Sequence, residues 1–160
     1  MPNKSFSVFT RSKLKPFKKT IEVDSDKSIS IRSFLISAIS HNISEIKNVL
    51  ESEDVFSTIK CLRQLGVKIK KIKSKNYLIY GKGLGSLYIK KNSILNCGNS
   101  GTLARLLIGI LSTTPRIRVN IRGDKSLNKR NMTKLINLMS LFGASFEKNK
   151  SHFPINMISS

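Results

Sequence analysis

The chain has 160 residues and a formal net charge of +20, from 29 Lys and Arg against 9 Asp and Glu. Its hydrophobic fraction of 39% excludes a disordered chain, and no apolar run is long enough for a transmembrane helix. The N-terminus lacks the apolar segment of a signal peptide, and two cysteines are too few for a disulfide framework. The sequence therefore predicts a cytoplasmic protein whose positive field attracts anions.

In the first half of the chain, turn residues separate short segments that alternate between strand and helix periodicity. The predicted elements are strands at Ser5–Thr10 and Thr20–Val23, a helix at Ser28–Ser40, a strand at Ser44–Leu50, a helix from Ser52 to Gly66, a hairpin of Val67–Lys73 and Tyr77–Tyr80, and a short strand at Leu87–Ile89. Ile29, Leu35, Ile36 and Ile39 recur at helical spacing in the first helix. Cys61 lies on the apolar face of the second helix and is predicted to be a reduced core residue.

The second half of the chain repeats the pattern of the first. The predicted elements are a helix at Thr102–Leu111, a strand at Ile117–Arg122, a helix at Met132–Phe142, and strands at Ala144–Glu147 and Phe153–Ile158. The helix, glycine and strand of Ile59–Ile69 return at Ile136–Phe146, and Arg32 and Arg105 lie in the first turns of the two preceding helices. The sequence therefore predicts an α/β fold of two βαβαββ units.

Three polar segments lie where a predicted strand leads into a helix. They are Asp26–Arg32, Asn96–Arg105 and Arg122–Met132. Helix N-termini present unpaired N–H groups, glycine lets an anion approach the backbone, and Lys and Arg supply positive charge. Each segment alone has a plain structural explanation: an N-cap at Ser28, a glycine turn bordered by Cys97 as a small packing residue, and a solvated loop. Because such loops converge on a ligand cleft in α/β folds, together they predict an anion-binding site.

The three motifs, in this order, resemble those of the enolpyruvyl transferases, and among them the EPSP synthases. The matching runs are Lys27-Ser28-Ile29-Ser30-Ile31-Arg32, Gly98-Asn99-Ser100-Gly101-Thr102, and Gly123-Asp124-Lys125-Ser126-Leu127-Asn128-Lys129-Arg130. The resemblance implies part of an inside-out α/β barrel lobe, with βαβαββ units at residues 21–93 and 94–160, the second truncated. It also implies that residues 1–20 pair with a second lobe, so that the chain is the N-terminal part of a family member.

The reaction implied by the resemblance is transfer of the enolpyruvyl group of phosphoenolpyruvate to the 5-hydroxyl of shikimate 3-phosphate, in the shikimate pathway to chorismate and the aromatic amino acids. It implies no metal or organic cofactor. The implied shikimate 3-phosphate site is Lys27, Ser28 and Arg32. The implied phosphoenolpyruvate site is Lys27, Asn99, Ser100, Gly101, Thr102 and Arg130, of which Lys27 and Arg130 are the implied catalytic residues. Glyphosate would compete at this second site, and glycine at position 101 implies sensitivity to it.

The chain departs from the family pattern at two places. Asp24-Ser25-Asp26 stands where the family usually has Pro-Gly before the Lys-Ser pair, which adds a carboxylate beside a phosphate site. Asn131 replaces the usual proline after the loop arginine and removes a rigid helix start. The effect of both on binding is left open by the sequence.

The family's acid–base carboxylates come from later sequence, so this chain alone is expected to be inactive, whereas the complete enzyme is expected to be monomeric. Two other hypotheses remain. One is a basic nucleic-acid-binding module, which the scattered lysines and a 7% aromatic content without tryptophan disfavour. The other is a decayed or regulatory truncated homologue.

Overall fold

The structure is a computed structural model that describes residues 24–91, 93–148 and 151–160. Its elements are α1 (Lys27–Ile39), β1 (Ile43–Ile46), α2 (Glu53–Gln64), β2 (Lys68–Lys73), β3 (Asn76–Tyr80), β4 (Ile94–Asn96), α3 (Gly101–Ser112), β5 (Arg118–Arg122), α4 (Lys125–Asn128), α5 (Thr133–Leu141), β6 (Ser145–Phe146) and β7 (Ile155–Ile158). The strands predicted at Ser5–Thr10 and Thr20–Val23 lie outside the described residues. No helix in the described ranges is long and apolar enough to cross a membrane.

The strands form two sheets that share one topology. The first sheet has the order β1-β3-β2 and is antiparallel, and the second has the order β4-β5-β7-β6, in which only β4 and β5 are parallel. The order β1-β3-β2 therefore returns as β5-β7-β6, with one long helix before the first strand of each set. The internal repeat read from the sequence is a repeat of topology, while the unit boundaries at residues 21–93 and 94–160 stay a prediction.

Helix α1 packs against both α2 and α3, and the three helices share one apolar core with both sheets. The buried face of α1 consists of Ile31, Phe34, Leu35 and Ala38, and the Phe34 ring meets the edge of Tyr77 at a centroid distance of 5.3 Å. Ile29 and Ile36, which share the helical spacing noted in the sequence, are instead 65% and 63% exposed. Periodicity identified the helix, but only its contacts with α2 and β3 select the buried face.

Several predicted boundaries are wrong, each for a local reason. The strand predicted at Ser44–Leu50 ends at Ile46, because Asn48 has a φ of 54° and leaves the extended conformation. Leu87–Ile89 joins no sheet: Leu87 is buried in the core, and the Tyr88 N–H donates to the carbonyl of Leu65, the C-cap of α2, at 3.3 Å. Conversely, the short strand β4 and the one-turn helix α4 fall in segments for which no strand or helix was predicted.

Glu51 joins the first sheet to the segment before α2. Its Oε1 accepts hydrogen bonds from the Tyr77 hydroxyl at 2.7 Å and the Lys75 N–H at 3.2 Å, and lies 2.7 Å from the Lys71 Nζ. The bonds from Lys71 and Tyr77 lower the pKa of Glu51. Burial, together with the bond to Glu51, raises the pKa of Tyr77 to about 12.

These two shifts predict opposite pH limits for one network. Because the pKa of Glu51 is lowered on folding, its contribution is present above its ordinary pKa and is lost as the pH falls through the folded value. The Tyr77 contribution is complete below its ordinary pKa of 10.0 and is lost as the pH rises toward about 12. Urea unfolding of the wild type and Tyr77→Phe should therefore show a constant difference in unfolding free energy at neutral pH that shrinks above pH 10.0. A difference in unfolding free energy that stays constant above pH 10.0 would contradict this prediction. So would the same pH dependence in Tyr88→Phe, which replaces an exposed tyrosine.

Candidate functional site

The second and third polar segments meet where β4 and β5 end. Because these strands are parallel, their carboxyl ends lie at the same edge of the sheet. The Cys97 N–H donates to the Arg122 carbonyl at 2.9 Å, and the Asp124 N–H donates to the Gly98 carbonyl at 2.8 Å. The convergence expected from the sequence is thus present for these two loops.

The loop after β4 turns sharply into the N-terminus of α3. Gly98 adopts a φ of 58°, which glycine tolerates best, and its N–H donates to the Asn96 Oδ1 at 3.0 Å. Ser100 is the N-cap of α3, and its hydroxyl accepts from the Leu103 N–H at 3.3 Å. The helix therefore starts at Gly101, where its first N–H groups and the positive end of its dipole favour an anion.

Two guanidinium groups lie against Gly101. The Arg130 Nη2 donates to the Asn99 Oδ1 at 2.9 Å. A Cβ on Gly101 would lie 2.6 Å from the Arg130 Nη1 and 2.9 Å from the Arg105 Nη1. Both arginines are exposed, and in the described part of the chain neither forms an ion pair. Two cations gathered at a helix N-terminus favour the approach of an anion.

Arg105 belongs to this site although the residue-by-residue resemblance did not include it. The signal was in the sequence, because Arg105 follows Gly101 by four residues and so lies on the same side of the helix. Its matching position in the first half of the chain, Arg32, had already been included.

The short helix α4 brings Arg130 back toward the second loop. The Asp124 Oδ1 accepts from the Leu127 N–H at 2.7 Å, the Asn128 Oδ1 accepts from the Gly123 N–H at 2.9 Å, and Leu127 is fully buried. The third segment is therefore a capped one-turn helix anchored by Leu127 rather than a plain loop, while its cationic side chains are solvent-exposed as a solvated segment would have them. In place of the family's proline, Asn131 accepts from the Thr133 N–H at 2.8 Å and so orders the entry to α5 through its side chain.

The first polar segment forms the N-terminus of α1. Asp26 is the N-cap, and its Oδ1 accepts from the Ile29 N–H at 2.7 Å, so the N-cap explanation for Ser28 is wrong. The carboxylate that departs from the family pattern is thus used by the helix itself. Ser28 is half-buried and Arg32 is exposed, and no hydrogen bond or ion pair among the described residues connects either of them to the other two loops.

Helix α2 links the first segment to the second. The Lys27 Nζ lies 3.0 Å from the Asp54 Oδ2 in an ion pair, with the lysine side chain half exposed. One turn further along α2, the Ser57 Oγ lies 2.9 Å from the position of a Cβ on Gly98. Asp54 was not predicted as a site residue.

A groove of about 790 Å³ lies elsewhere, beside β5, β6 and β7. Its lining includes Lys91, Arg118, Phe146 and Asn156, and none of the predicted site residues. The converging loops, rather than this groove, carry the chemistry expected of the three motifs.

The sequence and the structure both resemble known proteins over most of the chain. The EPSP synthase (3-phosphoshikimate 1-carboxyvinyltransferase) family matches residues 12–159. The 3-phosphoshikimate 1-carboxyvinyltransferase of Syntrophomonas wolfei is 43% identical over 136 residues, which are 85% of this chain and 31% of that protein. The protein of the same name from Clostridium tetani is 38% identical over 86% of this chain and 31% of its own length.

A solved structure gives the same result for the fold. EPSP synthase from Acinetobacter baumannii superposes with a TM-score of 0.79 at 34% identity, covering 88% of this chain and 32% of that one. The chain thus spans about a third of the length of the proteins it matches. Because the family match extends through all three motifs and nearly the whole chain, the chain belongs to the EPSP synthase family.

Proposed function

We propose that this chain forms the part of an EPSP synthase that binds shikimate 3-phosphate and phosphoenolpyruvate. The complete enzyme would transfer the enolpyruvyl group of phosphoenolpyruvate to the 5-hydroxyl of shikimate 3-phosphate and release phosphate. We further propose that the complete enzyme is a cytoplasmic monomer and that glyphosate competes with phosphoenolpyruvate for its site.

The observation that carries the proposal is the pair of guanidinium groups at Gly101. Phosphoenolpyruvate bears a phosphate and a carboxylate, and the N-terminus of α3 with Arg105 and Arg130 offers N–H groups and two cationic forks to such a ligand. The Arg130 bond to Asn99 holds one fork at the loop before the ligand arrives. Preorganised positive charge would also stabilise the charge that develops on the tetrahedral intermediate.

The shikimate 3-phosphate site is proposed at the start of α1. Lys27, Ser28 and Arg32 lie within its first two turns, where the helix dipole favours a phosphate. The Lys27 ammonium pairs with Asp54, and Ser57, one turn further along α2, approaches Gly98 of the second loop, which supports a place for Lys27 near both proposed binding sites. Lys27 is therefore the proposed contact to both substrates.

The carboxylates at these loops support the expectation that this chain does not turn over. Addition of the 5-hydroxyl to C2 of phosphoenolpyruvate, with protonation of C3, requires general acid–base groups. Asp26 caps α1, Asp124 caps α4, and Asp54 pairs with Lys27. Each of these three carboxylates thus already holds a helix cap or an ion pair within the chain.

The test is a titration of the amide NMR signals of the 160-residue chain. We expect shikimate 3-phosphate to shift the signals of Ser28 and Arg32 saturably, phosphoenolpyruvate to shift those of Gly101 and Thr102, and a phosphate-release assay to show no turnover. Sulfate at equal ionic strength is the control for general anion binding. Equal shifts with sulfate, or tighter binding of a generic RNA that survives Lys27→Ala with Arg32→Ala, would overturn the proposal. Sustained turnover would overturn the inactivity.

A further inference from the structure

Cys61 and Cys97 form a buried pair of thiols between α2 and the end of β4. Both are reduced and 0% exposed, and they are the only cysteines in the sequence. The Cys61 Sγ donates to the Asn96 carbonyl at 3.4 Å, and that carbonyl belongs to the peptide bond leading to Cys97. Standard peptide geometry then places this sulfur within about 6 Å of the Cys97 Cα.

The position of the pair connects it to the anion-binding loop. Cys97 comes immediately before Gly98, and its backbone N–H is held by the Arg122 carbonyl at 2.9 Å. Cys61 lies one turn after Ser57, the α2 residue that closely approaches Gly98. A covalent bond between the two sulfurs would therefore tie α2 to the loop that carries Asn99 and Gly101.

We propose that Cys61 and Cys97 are a redox-sensitive dithiol whose closure to a disulfide displaces the anion-binding loop. With a small organic disulfide as oxidant, one cysteine thiolate attacks a sulfur of the oxidant and releases one thiol, which leaves a mixed disulfide. The second cysteine thiolate then attacks the mixed disulfide and releases the second thiol. The two protons of the cysteines end on the two released thiols, and the two electrons reduce the oxidant.

Closure in the native state is expected to be slow. The contact with Cys61, together with burial, raises the pKa of Cys97 above its ordinary value, and the reactive species is the thiolate. Reaction therefore follows transient opening of the contact between α2 and β4. A sulfur–sulfur bond of about 2 Å is shorter than any non-bonded contact of these atoms. Its formation therefore draws α2 and the loop toward each other.

The test incubates the 160-residue chain with oxidised glutathione and follows free thiols and intact mass. We expect both thiols to be lost in a monomer whose mass falls by two hydrogen atoms, with reversal by dithiothreitol. Cys61→Ser and Cys97→Ser, checked for folding by circular dichroism, should form only mixed disulfides. Covalent dimers, mixed disulfides alone in the wild type, or unchanged thiols under conditions where the urea-unfolded chain reacts would overturn the proposal.

A separate NMR measurement tests whether oxidation displaces the loop that carries Asn99 and Gly101. Oxidation should shift the amide signals of Asn99 and Gly101 more than those of the remote turn at Lys75, and unchanged signals at the loop would overturn this part. The ligand effect rests on the proposed function: phosphoenolpyruvate affinity should fall by about fivefold, as for loss of one hydrogen bond such as Asn99–Arg130. If the reduced chain does not bind phosphoenolpyruvate at all, that result counts against the proposed function and not against the dithiol. The mass measurement tests the dithiol without any ligand.

Discussion

Replacing Arg130 by Gln should weaken phosphoenolpyruvate binding by about tenfold to a hundredfold, because charge-assisted hydrogen bonds exceed neutral ones. The Arg130 guanidinium donates to Asn99 and lies against Gly101, so it is already at the N-terminus of α3 where the anion is proposed to bind. Isothermal titration calorimetry of the wild type and the variant measures the difference. Arg130→Lys should fall between them, since a point charge lacks the bidentate fork.

The matched control for Arg130 is Arg118→Gln. Arg118 begins β5, whose other end leads into the third loop, and five residues of strand place it about 13 Å from that end, beyond the screening length of physiological salt. The Arg118→Gln substitution removes one positive charge from a chain of net charge +20, as Arg130→Gln does. Equal losses of affinity in both variants would mean that overall charge, rather than the site, binds the ligand. Shikimate 3-phosphate affinity should stay within about twofold in both, since a remote surface charge contributes little.

Replacing Gly101 by Ala should weaken phosphoenolpyruvate binding by about fivefold to tenfold, the equivalent of one hydrogen bond. The new methyl group would stand 2.6 Å from the Arg130 Nη1 and 2.9 Å from the Arg105 Nη1, so both flexible guanidinium groups must move away. Binding of glyphosate is expected to weaken as well, because the methyl group occupies the same proposed site. Titration calorimetry with each ligand measures both effects.

Gly109→Ala provides the control within the same helix. Nothing lies within 4 Å of a Cβ at Gly109, and a helix-interior alanine stabilises by roughly 0.5–1 kcal/mol relative to glycine. We expect this variant to raise the unfolding free energy and to leave both ligand affinities unchanged. If Gly101→Ala binds phosphoenolpyruvate as tightly as Gly109→Ala does, the guanidinium groups at Gly101 do not contact the ligand.

The elements with strong local signals were predicted correctly, and those that depend on neighbours were not. The helix from Ser52 to Gly66 and the hairpin of β2 and β3 follow from periodicity and turn residues, and both are present. Leu87–Ile89 has the composition of a strand but finds no partner strand. The strand β4 is only three residues long, too short for periodicity to reveal, and it exists because β5 pairs with it.

In the candidate site, too, the local features were predicted from the sequence and the contacts between distant segments were not. The three motifs identified which loops carry cations, and the structure brings the second and third together through Cys97, Gly98 and Asp124. The pairing of Lys27 with Asp54 joins residues far apart in sequence, and no local pattern contains it. The roles of the individual residues in binding stay predictions that the titrations above decide.

By itself, the sequence determined the α/β class, the internal repeat, the three polar motifs and the resemblance to the family, because periodicity and motif spacing are local properties of a chain. Only the tertiary structure decided that α1 buries Phe34 rather than Ile36, that Asp26 rather than Ser28 caps this helix, and that Arg130 returns to Asn99 beside Arg105. The reason is physical: burial, capping geometry and convergence of charge depend on which distant segments pack together, and residue spacing along the chain does not specify that packing.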